Sequence, residues 1–478
     1  MLQKLLVAGL LLLSPRALEA QAGTRVTLAL HDATGRATPA RVLVPAILPS
    51  GPMLSYPPAT VTGAQRFVVL GCRFAGVSGE PATMPALAAM LGPSYPGLGH
   101  YLTEISGGAL SMTGSAAAAW ADLPQPASYY DVSDFNNAVR IYQDCMGAHD
   151  AQVDFSQVDG VAMVLNGEIV GAGFFRSFSS QGTIPVTTAD GTRSYRLLFI
   201  GASAATNRFL WAHGLGHSYD LQHSSGRPLS FTNSLWDMMA KGGYAEAGWP
   251  GRIPVHPKAV DKLLLGWTPS SRTYTATPGS NLVITLERSA LPPANTNPVI
   301  ATIPIGTDQY TVEARRVAGY DRVADSALAG EGVLIHRIVP TRFDPLAEIH
   351  DADGNNNPND AGGFLVVGES FVDSGNRVRV TVVGQTATGF EVRMCLQASG
   401  SGQYGDVNGD GVVNVIDAQI VARFSVGLSV PNLSLTQANG DANADGVVNV
   451  IDAQVIVRHA VGLTTAGSQV GQAVSGGC

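Results

Sequence analysis

The chain has 478 residues, more than one ordinary hydrophobic core organises, so roughly two to four domains are expected. Only 14% of residues are charged, 45% are hydrophobic, and 55 glycines and 28 prolines punctuate the chain, which disfavours a helical cytosolic enzyme and suits loop-rich extracellular modules. A net charge of −8 without a long basic run argues against a nucleic-acid partner.

The first residues, MLQKLLVAGLLLLSPRALEAQAG, combine a positive n-region at Lys4, an apolar stretch over 5–13 and a small-x-small site at Ala20, Gln21 and Ala22. This predicts a signal peptide over 1–22 and a secreted, extracellular protein. The apolar stretch is too short to cross a bilayer, which needs about 20 residues, and no later run predicts a membrane span. Residues 23–65 read as an N-terminal segment, either a short pro-region or the first strands of the next domain. Four cysteines remain: Cys72, Cys145, Cys395 and Cys478. Export makes disulfides plausible, and three pairings are open. Cys72 with Cys145 is favoured because both fall in one expected domain, leaving Cys395 with Cys478.

RFVVLGCRF, AMVLNG and LLFIG predict buried strands, with helices before and between them and a helix over 136–146. FLWAHGLGHSYDL has helical periodicity and carries histidines. An α/β domain over 66–270 follows. NLVITLER, YTVEARR, GVLIHRI, FLVVGESF, VRVTVVG and FEVRMCL are short, β-branched and separated by turn residues, and predict an all-β sandwich over 271–397. A Gly/Ser linker over 398–404 leads to a repeat over 405–465 and a tail over 466–478.

The repeat pairs GDVNGDGVVNVIDAQIVARFSVGL with GDANADGVVNVIDAQVIVRHAVGL, 35 residues apart and identical at 17 of 24 positions. A twelve-residue loop supplies calcium with oxygens from positions 1, 3, 5, 7, 9 and 12. Here these are Asp406, Asn408, Asp410, the Val412 carbonyl, Asn414 and Asp417, then Asp441, Asn443, Asp445, the Val447 carbonyl, Asn449 and Asp452. Gly411 and Gly446 permit the turn at position 6. A helix follows each loop but none precedes it, and Asp replaces the Glu that ends an EF-hand. The pair resembles the type I dockerin, a small α, calcium-binding module of two loop-helix repeats. That resemblance implies two Ca²⁺ ions and a cohesin-like partner, met at Val415, Ile416, Val450 and Ile451.

WAHGLGHSYDLQHSSG sets His213, His217 and His223 at i, i+4 and i+10. One helical face brings the first two together, a turn returns the third, and three imidazoles leave a fourth position open, the arrangement of a catalytic zinc. The motif resembles the HExxHxxGxxH zinc endopeptidases, specifically the immune-inhibitor-A-type metallopeptidases, metzincin-like enzymes with an α/β zincin-like domain. GHYLTEISGGALSMTG, WADLPQPASYY, WDMMAKGGY, KLLLGWTP and YTVEARRVAGYD resemble further segments of that family. The resemblance implies one Zn²⁺, a protein or peptide substrate, and Met239 as the Met-turn methionine beneath the metal. Two departures matter. Gly214 stands where the motif has its general-base Glu, and Asp220 replaces the glycine that turns the chain. Asp220, Asp237 and Glu246 are the nearby acids that could substitute for the missing base.

The expected function is therefore a secreted zinc metallopeptidase-like protein of endopeptidase lineage, tethered by its dockerin to an extracellular partner. The alternative is a non-catalytic, zinc-binding pseudopeptidase in a dockerin-cohesin assembly. DADGNNNPND, over 351–360, is rich in oxygen ligands and could hold a further Ca²⁺ beyond the dockerin's two, but it lacks the spacing of the repeats and reads better as a solvated loop. His336 reads as a sandwich residue. Trp120, Tyr129 and Tyr130 match a family segment and read equally as packing. No GxSxG elbow or phosphate-cradling glycine loop is present.

Overall fold

The computed structural model describes residues 29–32, 37–38 and 60–472, apart from 132–134, 169–174, 226–233, 246–247, 322–327, 343–345, 398–402, 431–436 and 464. All of 1–22, where a signal peptide is predicted, Glu246, most of 398–404 and Cys478 thus lie outside the described residues. Two units divide the chain. The first comprises Met1–Thr273, Glu287–Ile300 and Thr307–Phe364, and the second Tyr274–Leu286, Ala301–Gly306 and Leu365–Cys478.

The first unit is built on a mixed sheet. Its strands are β1 (Ala29–Asp32), β2 (Phe67–Arg73), β3 (Ala116–Asp122), β4 (Gly160–Leu165), β5 (Phe175–Ser179) and β6 (Gly191–Ile200). The order is β1-β5-β6-β4-β2-β3, with the short strand Ala37–Thr38 outside β1. Strands β6, β4, β2 and β3 run parallel, while β5 and β1 are antiparallel additions. The described part of 23–65 therefore contributes strands to this sheet.

Parallel strands covered on both faces need apolar residues at every position, and period-2 alternation sorts them. Phe67, Val69, Ala162, Val164, Leu198 and Ile200 pack on one side. Val68, Leu70, Val161, Met163, Leu197 and Phe199 pack on the other, with helix α3. The helices of this unit are α1 (Met84–Met90), α2 (Leu98–Ile105), α3 (Phe135–His149), α4 (Arg208–Ser218) and α5 (Ala259–Leu264). A disulfide between Cys72 and Cys145 ties β2 to α3. Because these two sulfurs are bonded, the buried group Cys72, Cys145 and His149 is not a metal site. Tyr130 is buried with its hydroxyl donating to Asp144 (2.7 Å), and the Trp120 ring fills the space a side chain at Gly71 would need.

Helix α4 starts at Asn207, whose side chain accepts from Leu210 N (3.4 Å), and every residue of it is buried. A helix buried on all sides passes through a core.

Strands β7 (Ser224–Ser225), β8 (Asp308–Arg315), β9 (Gly332–Ile338) and β10 (Ala347–Ile349) also belong to the first unit, in the order β7-β10-β9-β8. The β segments predicted over 271–397 are thus divided between the two units. Strand β8 carries buried charge: Arg315 is fully buried, binds Asp321 through Nε (2.7 Å) and Nη2 (2.6 Å), and donates from Nη1 to the Trp236 carbonyl (2.6 Å). Glu313 accepts from the Ala259 amide. Charges so deep must be paired: Asp321 stands six residues beyond Arg315, while Trp236 and Ala259 come from the α/β part of the chain. His336, on β9, is buried with them.

The second unit holds a four-stranded antiparallel sheet ordered Ser280–Glu287, Gly389–Leu396, Val378–Gln385, Ser370–Asp373. Val378, Val380, Val382, Phe390, Val392 and Met394 alternate into its core. The predicted strand FLVVGESF is shorter in fact, beginning at Ser370. The unit also holds α6 (Val415–Ser425) and α7 (Val450–Ala460), which pack through Ala418, Val421, Ala453 and Ile456. Gln469 N donates to the Ala442 carbonyl (2.9 Å), Gly471 N to Tyr404 (2.9 Å), and Val470 joins this core, so the expected tail is part of the module as far as 472. No helix among the described residues is long and apolar enough to cross a membrane.

Candidate metal centres

Helix α4 aims His213 and His217 to one side, and the chain reverses after Ser218 to return His223. The reversal passes through Tyr219 and then Asp220, whose φ of 66° is left-handed. Asp is among the residues that adopt this region most readily, so it does the work of a glycine there. The Asp220 carboxylate lies against Gly182, and burial raises its pKa although Arg196 opposes the shift.

The three Nε2 atoms meet. They stand 3.0 Å (His213 to His217), 3.3 Å (His213 to His223) and 3.1 Å (His217 to His223) apart. His213 Nδ1 faces the Met238 carbonyl at 2.7 Å and His217 Nδ1 the Leu221 carbonyl at 2.9 Å. A carbonyl only accepts, so each Nδ1 carries the hydrogen and each Nε2 presents a lone pair inward. Burial, then the neighbouring His223, pushes His213 down to about 3, and His217 falls well below the ordinary histidine value for the same reasons. Neutral imidazoles with converging lone pairs repel one another unless a cation sits between them. The donor set thus fits a divalent metal ion, and this group is one of the two metal-sized clusters among the described residues.

The floor of the site is Asp237, wholly buried. Its carboxylate accepts from Met239 N (3.0 Å), Ser224 Oγ (2.6 Å) and Lys258 Nζ (3.1 Å), and Lys258 also binds Asp261 (2.6 Å). Burial raises the Asp237 pKa, but Lys258 and the hydrogen bonds outweigh it and hold the group below its usual range. Asp237 therefore links the residue after His223 to the turn that supplies the Met238 carbonyl and Met239. Gly216 lets that turn approach: a Cβ there would overlap Met239 Sδ and lie 2.9 Å from Met238 Cε. The glycine pattern in AHGLGH was the available sequence signal for this contact.

Gly214 is different. A Cβ at 214 would lie 3.6 Å from Ser179 Cβ and Leu198 Cγ, ordinary contact distances. The position faces β5 and β6, and Ser179 Oγ is buried there without a hydrogen-bond partner in the structure. Of the three acids considered as substitute bases, Asp237 is fully engaged, Asp220 rests against Gly182, and Glu246 lies outside the described residues.

The C-terminal loops are built around their first and last carboxylates. Asp406 accepts from Gly409 N (2.8 Å) and Gly411 N (3.0 Å), and Asp417 from Val407 N (3.0 Å), Asn408 N (3.1 Å) and Asn414 N (2.9 Å). In the second loop Asp441 accepts from Asp445 N (3.0 Å) and Gly446 N (2.8 Å), and Asp452 from Asn443 N (3.2 Å) and Asn449 N (2.8 Å). Asn414 and Asn449 cap the following helices, and Asp417 and Asp452 complete the capping boxes, so the twelfth ligand also starts the helix. The Asn408 and Asp410 side chains and the Val412 carbonyl ring the first loop; Asn443, Asp445 and Val447 ring the second. Val415 and Ile416 are 60% and 53% exposed, and Val450 and Ile451 51% each, apolar side chains left in water beside both loops.

The chain matches no curated protein. Its C-terminal part does match a known family, the dockerin type I domain, over residues 404–460. Dockerin type I modules bind calcium and imply a cohesin-bearing partner, and residues 404–460 of this chain form a dockerin type I domain.

Proposed function

We propose that this is a secreted, zinc-binding protein of metallopeptidase lineage whose site keeps its metal and lacks its general base, tethered through its dockerin to an extracellular, cohesin-bearing assembly. The observation that carries this is the inward triangle of Nε2 atoms beside a residue without a side chain. Three nitrogens about 2.0–2.1 Å from one tetrahedral ion stand about 3.3 Å apart, close to the 3.0–3.3 Å seen here. His213, His217 and His223 would hold the ion, with Met239, packed against Gly216, as the methionine beneath it on this reading.

A bound zinc supplies Lewis acidity toward a carbonyl. Peptide hydrolysis also needs a group that takes a proton from the attacking water and returns it to the leaving amine. Gly214 has nothing to do this with, and the carboxylate of Asp237 is spent on Lys258, Ser224 and the Met239 amide. Loss of a general base lowers a rate by about 10²–10⁴-fold. Binding of an extended polypeptide is thus favoured over rapid cleavage.

The test is metal analysis and hydrolysis of an unstructured protein by the purified chain, with His217→Ala and Gly214→Glu beside it. About one zinc per chain, absent from His217→Ala, with activity rising in Gly214→Glu, is the expected result. Rapid hydrolysis by the parent chain, abolished in His217→Ala, would reject the loss of catalysis. Absence of zinc from the parent would reject the metal site.

A further inference from the structure

The loop after β10 has the backbone of the two dockerin loops. In DADGNNNPND, Asp351 Oδ2 accepts from Asn356 N, five residues on (2.6 Å); Asp353 Oδ1 accepts from Asn355 N (3.1 Å); Asn355 Oδ1 accepts from Asn357 N (2.7 Å). The first dockerin loop repeats this bond for bond: Asp406 Oδ2 from Gly411 N (3.0 Å), Asn408 Oδ1 from Asp410 N (2.9 Å), Asp410 Oδ1 from Val412 N (2.8 Å). The second does the same from Asp441, Asn443 and Asp445. The sixth residue is left-handed in all three, with φ of 67° at Asn356, 85° at Gly411 and 89° at Gly446. The likeness is hidden in the sequence because Asn replaces Gly at position 6 and the last acid, Asp360, stands at position 10 instead of 12.

Loop shape alone does not make an ion site. The second observation is Asp351. It is 7% exposed, and its Oδ1 is fully buried with no hydrogen-bond partner. That carboxylate faces those of Asp353 and Asp360. An unpaired carboxylate oxygen, out of water and beside two like charges, is unfavourable unless a cation joins them.

We propose that 351–360 is a third calcium site, with ligands from the side chains of Asp351, Asp353, Asn355 and Asp360 and from the Asn357 carbonyl at position 7. An all-oxygen donor set with three carboxylates suits a hard cation such as Ca²⁺. The site would be structural. Asn359 Oδ1 accepts from Leu235 N (2.7 Å) and the Pro358 carbonyl from Trp236 Nε1 (3.0 Å), so the loop anchors the residues that lead into Asp237 and Met239. Calcium here fixes the floor beneath the three histidines.

The experiment uses the full chain and the metal alone. Equilibrium dialysis should give three Ca²⁺ per chain, and Asp406→Ala with Asp441→Ala should leave one. Terbium in that double variant should luminesce when excited through tryptophan, because Trp236 touches the loop and residues 404–472 contain no tryptophan. Adding Asp353→Ala should weaken this remaining site at least tenfold. If that variant misfolds, Asp360→Asn preserves the side-chain shape and should weaken it likewise. Two Ca²⁺ in the parent, or a third ion whose affinity neither variant changes, would overturn the assignment.

Discussion

Two glycines in the metal helix, two residues apart, should respond in opposite directions to the same substitution. Gly214→Ala places a methyl at ordinary contact distance from Leu198 and Ser179. It removes a helix-interior glycine penalty of about 0.8–1 kcal/mol and buries one methyl worth about 0.8 kcal/mol. The sum is a stabilisation of about 1–2 kcal/mol. Gly216→Ala gains the same propensity, but its Cβ overlaps Met239 Sδ and presses on Met238 Cε, both buried. Overpacking of a tight core costs about 1–3 kcal/mol, so the net change is zero to about 2 kcal/mol of destabilisation. The displaced turn carries the Met238 carbonyl that orients His213, and losing such a partner lowers metal affinity about 10–100-fold. All five tryptophans lie in the first unit, so tryptophan fluorescence in urea reports its unfolding alone. Competition with a chromogenic chelator reports zinc. If both variants move stability in the same direction, or if Gly216→Ala binds zinc as tightly as the parent, the packing account of this helix is wrong.

Burial pushes His336 down to about 3, with Lys258 adding to the effect, and both ring nitrogens lack partners. Its folded pKa is below the unfolded value near 6.5, so the unfolded chain takes up the proton first and stability falls as pH drops below 6.5. At pH 4.5 the loss is about 2–3 kcal/mol, and His336→Leu should abolish that part of the acid sensitivity while remaining near neutral at pH 8, as read by the same urea titration. Lys258→Met leaves Asp237 and Asp261 buried without their cation and should destabilise the first unit by about 3–5 kcal/mol at neutral pH; a change below 1 kcal/mol would mean the ion pairs are not what holds the floor. Ala444 occupies position 4 of the second dockerin loop at a φ of 60°, where the first loop has Gly409 at 76°. Ala444→Gly should relieve about 1 kcal/mol and tighten calcium binding at that loop several-fold in calorimetry, whereas Gly409→Ala should do the reverse at the first.

Much of the site was legible because its signals are local. His213 and His217 share a helical face by spacing alone, and each dockerin loop carries its ligands within twelve residues. The sheet strands were legible too, since FVVLGC and GVAMVL are apolar at every position. What the sequence hid depends on distant partners. Nothing within β8 says that Arg315 will meet the Trp236 carbonyl, 79 residues earlier. Asp237 read as a free acid near the metal because Lys258 and Ser224 are not its sequence neighbours.

These hidden contacts bear on the reading proposed for position 214. A decayed site would be expected to lose the groups that serve only the metal. Here the groups beneath it serve the fold as well: Asp237 joins Ser224, Met239 and Lys258, and Arg315 ties the neighbouring Trp236 carbonyl to Asp321. Removing any of them strands a buried charge, whereas the absence of a side chain at 214 strands none of them, its nearest neighbours being Ser179 and Leu198. On the function proposed above, a carboxylate at 214 is a part of such a centre that the fold can do without. His213 and His217 are held through their Nδ1 atoms by the Met238 and Leu221 carbonyls, so on the same reading the centre can bind a cation without that carboxylate.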